Sequence, residues 1–578
     1  MFLNSSLSTG SAPARASGRL IQLVAAHQIA LGVLFLILCG WKFTFGLDRV
    51  LDLDTSWHEA RYLAWVTGHA KLPVPAEYSP LYVAFYNLER WFVPDAINLY
   101  YLHDAVVATL LPACLFAFLM ARRVPFWLAL SAAAYFMICA GNLGVAPKPV
   151  HFGLAIMFLA LALHARLGER PVRYWLLIVT AGLLSLTRPE FLLSLIAVVA
   201  YVGVCAVLDR GRRWQIVAAL IAAVPVVGAL YWWGGAPLFN DKSVEAFQQH
   251  FALNYAAWQN FPGDPHNADY LTIFREVFGN AHSIPSAFLA NPAAFAHHAV
   301  ANLFHMPATL GQIFLGHYNV LLPRYAIFTM GEAVLLAAAL VVWAVVCRQH
   351  LAAGVRGPAL QRPGPFAALA AGLRRFVEKY PEAIPMGCFL IPFPIMMTVL
   401  YPRYHYAFGM GAILLGFALV AIGTRLRPQV PGWRSLIALP IVFALIPSLG
   451  SAGAALNARA GDVAVTPRPN REIVEFLRRL HPAETVRICE TGWVEPYLSD
   501  RFEAVSQERK DSGLAQFVAT QRISIIVADK RLRADPRFTH DPQWVQFERD
   551  PAGLGFAAHP LPSGAVVYVK DGIPLSGN

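Results

Sequence analysis

The sequence predicts a polytopic α-helical membrane protein of about eleven transmembrane helices, followed by a C-terminal extracytoplasmic α/β domain. Three observations carry this. Of 578 residues, 57% are hydrophobic and 14% charged, too little polar surface for a soluble chain of this length. The apolar residues are gathered into runs that suit bilayer spans, and short basic clusters separate them. Beyond residue 456 the pattern changes to short apolar strands alternating with amphipathic helices.

Taken in order, the apolar runs fall at 24–46, 100–121, 125–142, 151–167, 174–188, 191–208, 215–234, 324–347, 383–401, 404–424 and 435–452. Arg15 and Arg19 precede the first run, which is long and has no small-x-small cleavage site, so it reads as a retained span. Arg15/Arg19, Arg122/Arg123, Arg166/Arg170/Arg173, Arg210/Arg212/Arg213, the stretch from Arg348 to Lys379, and Arg425/Arg427/Arg434 all land on one side. That side is expected to be the cytoplasm, with the N-terminus inside and the C-terminal domain outside. The net charge of +11 is spread over these clusters and forms no single basic face, so no nucleic-acid partner is expected. Nearly all of the seven cysteines lie in or beside apolar runs, none with C-x-x-C spacing, and they read as small buried residues.

This divides the chain into a transmembrane module, 1–456, with outer loops at 48–98 and 235–323, and a terminal domain, 457–578. The second loop suggests amphipathic helices lying over the membrane, and its histidines lack the spacing of a metal site. In the terminal domain REIVEFLRRL (471–480) has helical apolar spacing, while 485–490, 523–529 and 565–570 read as buried strands of a mainly parallel sheet. No Walker loop or G-x-G-x-x-G fingerprint is present there.

The chemistry is concentrated in the first outer loop. Asp48, Asp52, Asp54, His58 and Glu59 stand among Trp57, Tyr62, Trp65, Tyr78 and Tyr82. An ordinary solvated loop is the plain alternative, but the interleaved aromatics favour a segment folded on the membrane surface. Other charges fall at outer span ends, where each needs a partner or a purpose. Asp104 follows His103 at the start of the second span. Lys148 stands beside His151 in GVAPKPVHF, Arg188 and Glu190 flank Pro189, and Arg403 sits in LYPRYHYAFG with Tyr404 and His405. Any one of these cations can snorkel to headgroups or pair with a carboxylate. Lys148, Arg188 and Arg403 together, opposite a carboxylate cluster, suit a lipid-phosphate ligand whose leaving phosphate is stabilised while a base activates an acceptor.

With these residues in view, the chain resembles the GT-C superfamily of integral-membrane glycosyltransferases, especially the branch of protein O-mannosyltransferases and lipid A aminoarabinose transferases. That branch carries D-E-x-x-Y and P-P-L-Y motifs in its first outer loop. HEARYLAWVTGHAKLPVPAEYSPLYVAFY (58–86) is similar, with Glu59, Arg61, Tyr62, Gly68, Pro80, Leu81 and Tyr82 in matching places. TRPE at 187–190 and PRY at 402–404 resemble further short motifs. His58 departs from the family's Asp, and Tyr78 from a Lys of the lipid A branch. Asp54 fits the spacing of the loop Asp in other branches.

The resemblance implies a GT-C-like fold and an inverting transfer of a sugar from a polyprenyl-phosphate-linked donor to a cell-envelope glycan, lipid or protein. Asp54 becomes the expected catalytic carboxylate, with Glu59 second and Asp52 a partner. Arg403, Lys148 and Arg188 would hold the donor phosphate, and His58, Tyr62, Tyr78, Tyr82, Asp104, Tyr404 and His405 would line the substrate site. A divalent cation (Mg, Mn or Ca) on Asp52 and Asp54 assists some members of the superfamily, whereas three cationic side chains could neutralise the phosphate without one, and both alternatives stay open here. The expected setting is a bacterial inner (cytoplasmic) membrane, in contact with its lipids, with the terminal domain periplasmic. A transporter or flippase, or a non-catalytic GT-C-like subunit of envelope glycan assembly, remains the alternative, though no internal repeat is present and the charges gather at one face.

Overall fold

The computed structural model describes residues 52–55, 59–70, 74–75, 78–138, 149–237, 241–260, 269–315, 382–425 and 468–575, with a few isolated positions besides. Among the elements whose full range is described, two short helices come first, α1 (Glu59–Thr67) and α2 (Pro80–Arg90). Glu59 opens α1, where a carboxylate suits the positive end of the helix, and Pro80 opens α2, where its missing N–H costs nothing. Then follow α3 (Ala96–Ala121), capped by Asp95, α4 (Phe126–Ile138), α5 (Pro149–Leu167), α6 (Val172–Ser185), a 3-10 turn at Pro189–Phe191 running into α7 (Leu192–Leu208), and α8 (Arg213–Gly234). After the second outer loop come α13 (Ala383–Leu390) and α14 (Pro392–Val399), broken at Pro392, and α15 (Tyr404–Arg425). The loop itself folds into α9 (Asp241–Gln259), α10 (Tyr270–Phe278), α11 (Ile284–Ala290) and α12 (Pro292–Leu315), as its amphipathic pattern predicts.

Five helical segments among the described residues are long and apolar enough to cross a membrane: α3, α5, Pro189–Leu208, α8 and Tyr404–Gly423 of α15. The shorter apolar stretches in α4, in α6 and across α13–α14 match three more of the expected runs. The runs at 24–46, apart from isolated positions, 324–347 and 435–452 lie outside the described residues, as does the 456/457 boundary. On α8, exposed Trp214 stands at one end and exposed Trp232 and Trp233 at the other. Eighteen residues of helix put these about 27 Å apart, the spacing of two aromatic belts across a hydrocarbon layer.

The spans sort into an inner and an outer set. α3 packs along α5, with Phe118 against Phe158 (5.7 Å), and both meet α15, which also takes Phe136 of α4 against its Phe408 (5.8 Å). α7 and α8 pack at the edge of this core, each burying one stripe in it (Val198, Val202 and Ala206; Ile216, Ala219 and Ala223), and turn their other apolar side chains outward. The basic clusters gather at one end of the bundle: Arg122 pairs with Glu382 (2.8 Å), and Arg212 with Glu169. This is the end assigned to the cytoplasm by charge.

The packing of α14 on α15 is unusually close. A Cβ on Gly409 would lie 2.1 Å from the Phe393 ring, an overlap relieved only if that buried ring or one of the helices shifts. Gly409→Ala is therefore expected to lower the thermal unfolding midpoint in detergent clearly, whereas Gly387→Ala, with open space around it, leaves it within about 1 °C of wild type. Equal midpoints for the two variants would contradict this packing.

The terminal domain begins with α16 (Pro469–Leu477) and builds a five-stranded sheet from β1 (Val486–Glu490), β2 (Phe502–Ser506), β3 (Ile523–Ala528), β4 (Phe556–Pro560) and β5 (Val566–Lys570), in the order β2-β1-β3-β5-β4. β2, β1 and β3 are parallel, with Val486 opposite Phe502 and Ile488 opposite Ile525. β5 joins β3 antiparallel, and β4 pairs with β5. The sheet is thus mixed where a mainly parallel one was expected, because β4 and β5 are joined by a tight hairpin that can only run antiparallel. Alternation divides the two faces. Ile526, Ala528, Tyr568 and Cys489 pack with Trp544 and Phe547, while Ile488, Ile525, Val527 and Val567 enter one cluster with Tyr62, Tyr82, Tyr86 and Tyr100. The terminal domain and the first outer loop therefore share a core.

Candidate functional site

The end of the bundle opposite the basic clusters brings together groups far apart in the chain. On one side is the acidic segment. Asp54 lies just before α1, partly exposed, and its Oδ2 accepts from the Glu59 N–H (3.2 Å). Glu59 is buried, and Tyr82 donates from its hydroxyl to Glu59 Oε1 (2.9 Å). Tyr62 packs edge-on against Tyr82 at 5.1 Å, and its hydroxyl is 3.4 Å from Ser79 Oγ. Ser79 takes a left-handed backbone conformation (φ 58°) immediately before Pro80, an uncommon state that turns the chain so that Tyr78 and Tyr82 bracket α1.

Asp52 is engaged differently. Its carboxylate accepts from the backbone N–H groups of Asn470 (3.1 Å) and Arg471 (3.0 Å), so it caps α16 from the other end of the sequence, and it also accepts from the Leu53 N–H (2.9 Å). Burial lifts its carboxyl above the usual range against the pull of these three donors. A dication held by Asp52 and Asp54 would have to displace them, and among the described residues no group of three His, Cys, Asp or Glu side chains is placed to hold a metal ion.

On the other side is a cluster of cations. Arg188 donates to Glu190 Oε1 (2.8 Å), to the Tyr406 hydroxyl (3.0 Å) and to His405 Nε2 (3.2 Å), and Tyr406 donates to the same Glu190 oxygen (2.6 Å). The motif at 187–190 thus meets the residues that immediately follow the one at 402–404, across more than two hundred residues. Arg403 adjoins this pair electrostatically, and so does Lys242, at the start of α9. The Tyr78 ring lies between two cations, Arg61 at 3.7 Å and Lys242 at 4.1 Å from its centroid. Burial, reinforced by Arg188 and Arg61 nearby, pushes the Lys242 ammonium down to about 7.

Tyr62 stands between the two sides. Burial pushes its hydroxyl up to about 12, and its charged neighbours are Arg188 and Glu190 on one side and Glu59 on the other. The site is therefore a carboxylate group and a cation group separated by a wall of tyrosines.

Of the residues singled out from sequence, Asp54, Glu59, Tyr62, Tyr78, Tyr82, Arg188, Arg403 and His405 converge here. Tyr404 opens α15, with its ring 5.3 Å from His405. Asp104 is buried on α3, one turn from Tyr100, whose hydroxyl donates to Asp52 O (3.3 Å), and beside His103, which pairs with Glu89 at 2.6 Å. His58 and Lys148 lie outside the described residues. Arg61 matched the family pattern without a role assigned to it, and Lys242 carried no signal at all, being one charge in the amphipathic stretch DKSVEAFQQH.

No protein-family model and no curated protein matches the sequence. Among solved structures, the chain is similar to the oligosaccharyltransferase of Archaeoglobus fulgidus, tethered with an acceptor peptide containing the NVT sequon via a disulfide bond. The identity is 13% and the TM-score 0.40, over 94% of this chain and 74% of that one. At that similarity nothing passes from that enzyme to this chain.

Proposed function

We propose that the chain is a membrane glycosyltransferase that moves a sugar from a polyprenyl-phosphate-linked donor to the hydroxyl of an extracytoplasmic glycan, lipid or protein. One observation supports it above the rest. A partly exposed carboxylate, Asp54, and the cations Arg61, Arg188, Lys242 and Arg403 flank one tyrosine wall at the end of the bundle opposite the basic clusters.

Asp54 takes the proton of the acceptor hydroxyl, whose oxygen attacks the anomeric carbon in line. The bond from that carbon to the phosphate oxygen breaks, and polyprenyl phosphate leaves with the electron pair and one further negative charge. Lys242, Arg61 and Arg403 face that charge. Arg188, neutralised by Glu190, holds the floor on which they stand. Glu59, fixed by Tyr82, stabilises positive charge developing on the sugar ring. A single displacement inverts the anomeric centre. Asp52 acts through the backbone it anchors, and the setting is the outer face of a bacterial cytoplasmic membrane with the terminal domain in the periplasm.

Lys242 supplies a test that needs no knowledge of the sugar. With its ammonium titrating near 7, binding an anion must draw in a proton above that pH. A polyprenyl methyl phosphate diester, whose own charge does not change between pH 6 and 9, is expected to bind roughly tenfold more weakly at pH 9 than at pH 6. Lys242→Met should bind weakly and without pH dependence, and Arg403→Ala should weaken binding about tenfold at every pH. Binding that is flat with pH in the unaltered protein and indifferent to Arg403→Ala would remove the phosphate site from this end of the bundle.

A further inference from the structure

Four successive residues of the acidic segment are gripped by the terminal domain. The Asp52 carboxylate occupies the N-terminal N–H groups of α16. The Asn470 side-chain amide donates to Leu53 O (2.9 Å), the Tyr497 hydroxyl to Asp54 O (2.9 Å), and the Trp493 N–H to Thr55 O (2.7 Å). Gly492 lies so close that a Cβ there would stand 3.0 Å from Thr55 O and 3.1 Å from Thr55 Cβ. Residues 52–55 form no helix or strand of their own.

All these donors come from one end of the sheet. Gly492, Trp493 and Tyr497 follow the carboxyl end of β1, and the order β2-β1-β3 makes β1/β3 the point where the chain crosses from one side of the sheet to the other. In open α/β sheets the crevice beyond such a point receives the ligand, and a helix N-terminus beside it receives the ligand's anion. Here the membrane module's own backbone lies in that crevice, and Asp52 stands where the anion would.

We propose that the terminal domain uses this crevice to hold the catalytic segment in register, with Asn470, Gly492, Trp493 and Tyr497 as positioning residues for Asp54. The proposal rests on Asp54 being the base. An irregular segment has many backbone states, and in-line attack tolerates misplacement of the base by only a fraction of an ångström, so the reaction needs an external template. Asp54 in turn accepts from the first N–H of α1, so the grip also sets where Glu59 and Tyr62 stand. The shared core of Ile488, Ile525 and Val567 with Tyr62, Tyr82 and Tyr100 makes the template rigid with respect to the site.

The test compares full-length wild type with Tyr497→Phe, Gly492→Val and, as a control at the opposite end of β1, Arg487→Ala, which removes an exposed pair with Glu503 and a hydrogen bond to Gln521 O (3.0 Å) but touches none of residues 52–55. Two quantities are read: hydrogen exchange of the peptide covering 50–60, and kcat and KM for release of polyprenyl phosphate from the best of a panel of polyprenyl-phosphate-linked sugars. The expected result is exchange faster by tenfold or more in both clamp variants, kcat lower by 10- to 100-fold, and donor KM within threefold of wild type, with Arg487→Ala unchanged in both. A domain with a merely structural role would change exchange without splitting kcat from KM. Unchanged exchange overturns the grip, and faster exchange with unchanged kcat overturns its positioning role while leaving the glycosyltransferase reading intact. A wild type without turnover on any donor overturns that reading, and the positioning role with it.

Discussion

Asp54→Asn is expected to cut sugar transfer by roughly a thousandfold while leaving the protein folded. The amide cannot take a proton at neutral pH, so an acceptor hydroxyl must attack undeprotonated. The structural duties of the residue survive the change. Its backbone carbonyl still accepts from Tyr497, and the side-chain oxygen can still accept from the Glu59 N–H at the start of α1. The variant should therefore elute and melt as wild type does. Glu59→Ala is expected to behave otherwise, because Glu59 is buried and takes the Tyr82 hydroxyl, so its loss disturbs the tyrosine wall as well as the charge. Both variants are read by the release of polyprenyl phosphate and by the midpoint of a thermal scan. Near-normal turnover in Asp54→Asn would move the base to Glu59.

The second large effect is on stability. Glu190→Gln leaves the Arg188 guanidinium, with little access to water, facing only the neutral dipoles of Tyr406 and His405. Breaking a buried pair on one side strands a charge and costs about 3 kcal/mol. The site falls with it, since this pair ties the 187–190 turn to the start of α15, beside Arg403. The double variant Arg188→Met/Glu190→Met removes both charges and should melt above Glu190→Gln, because an apolar pair carries no desolvation cost. Turnover should remain low in both. A Glu190→Gln protein as stable as wild type would show that the pair is not holding the two motifs together.

Much of this arrangement was legible in the sequence, for physical reasons that differ by element. The long spans were readable because a helix in hydrocarbon needs an unbroken apolar run, and α3, α5, α7, α8 and α15 supply one. β3 and β5 were readable because ISIIVA and VVYVK are nearly continuous in apolar residues, and β1 because VRICE carries three short apolar residues, Val486, Ile488 and Cys489, in five. FEAVS and FAAHP were missed as β2 and β4, because they are edge strands with exposed residues and short apolar content. The antiparallel half of the sheet went unseen with β4.

At the site, charge inside apolar context was the signal. Arg188, Glu190 and Arg403 stand out against the runs that flank them, and the acidic loop stands out against the first span. Lys242 and Arg61 gave no such contrast, since each sits on a helix that is partly polar in any case. Asp52 shows the opposite failure. In sequence it completes a D-x-D with Asp54, which suggests a metal or a second base. In the fold its carboxylate caps a helix more than four hundred residues away, a role that only tertiary structure can display.

The measurement that bears most directly on the account is turnover by purified, detergent-solubilised protein offered a panel of polyprenyl-phosphate-linked sugars, with membrane extract as acceptor source. Release of polyprenyl phosphate is followed by mass spectrometry, with and without EDTA. The account predicts release from at least one donor, lost in Asp54→Asn and strongly reduced in Arg403→Ala. No release from any donor, from protein that still binds the phosphate diester, would contradict it and favour a chain that carries or presents the lipid without cleaving it.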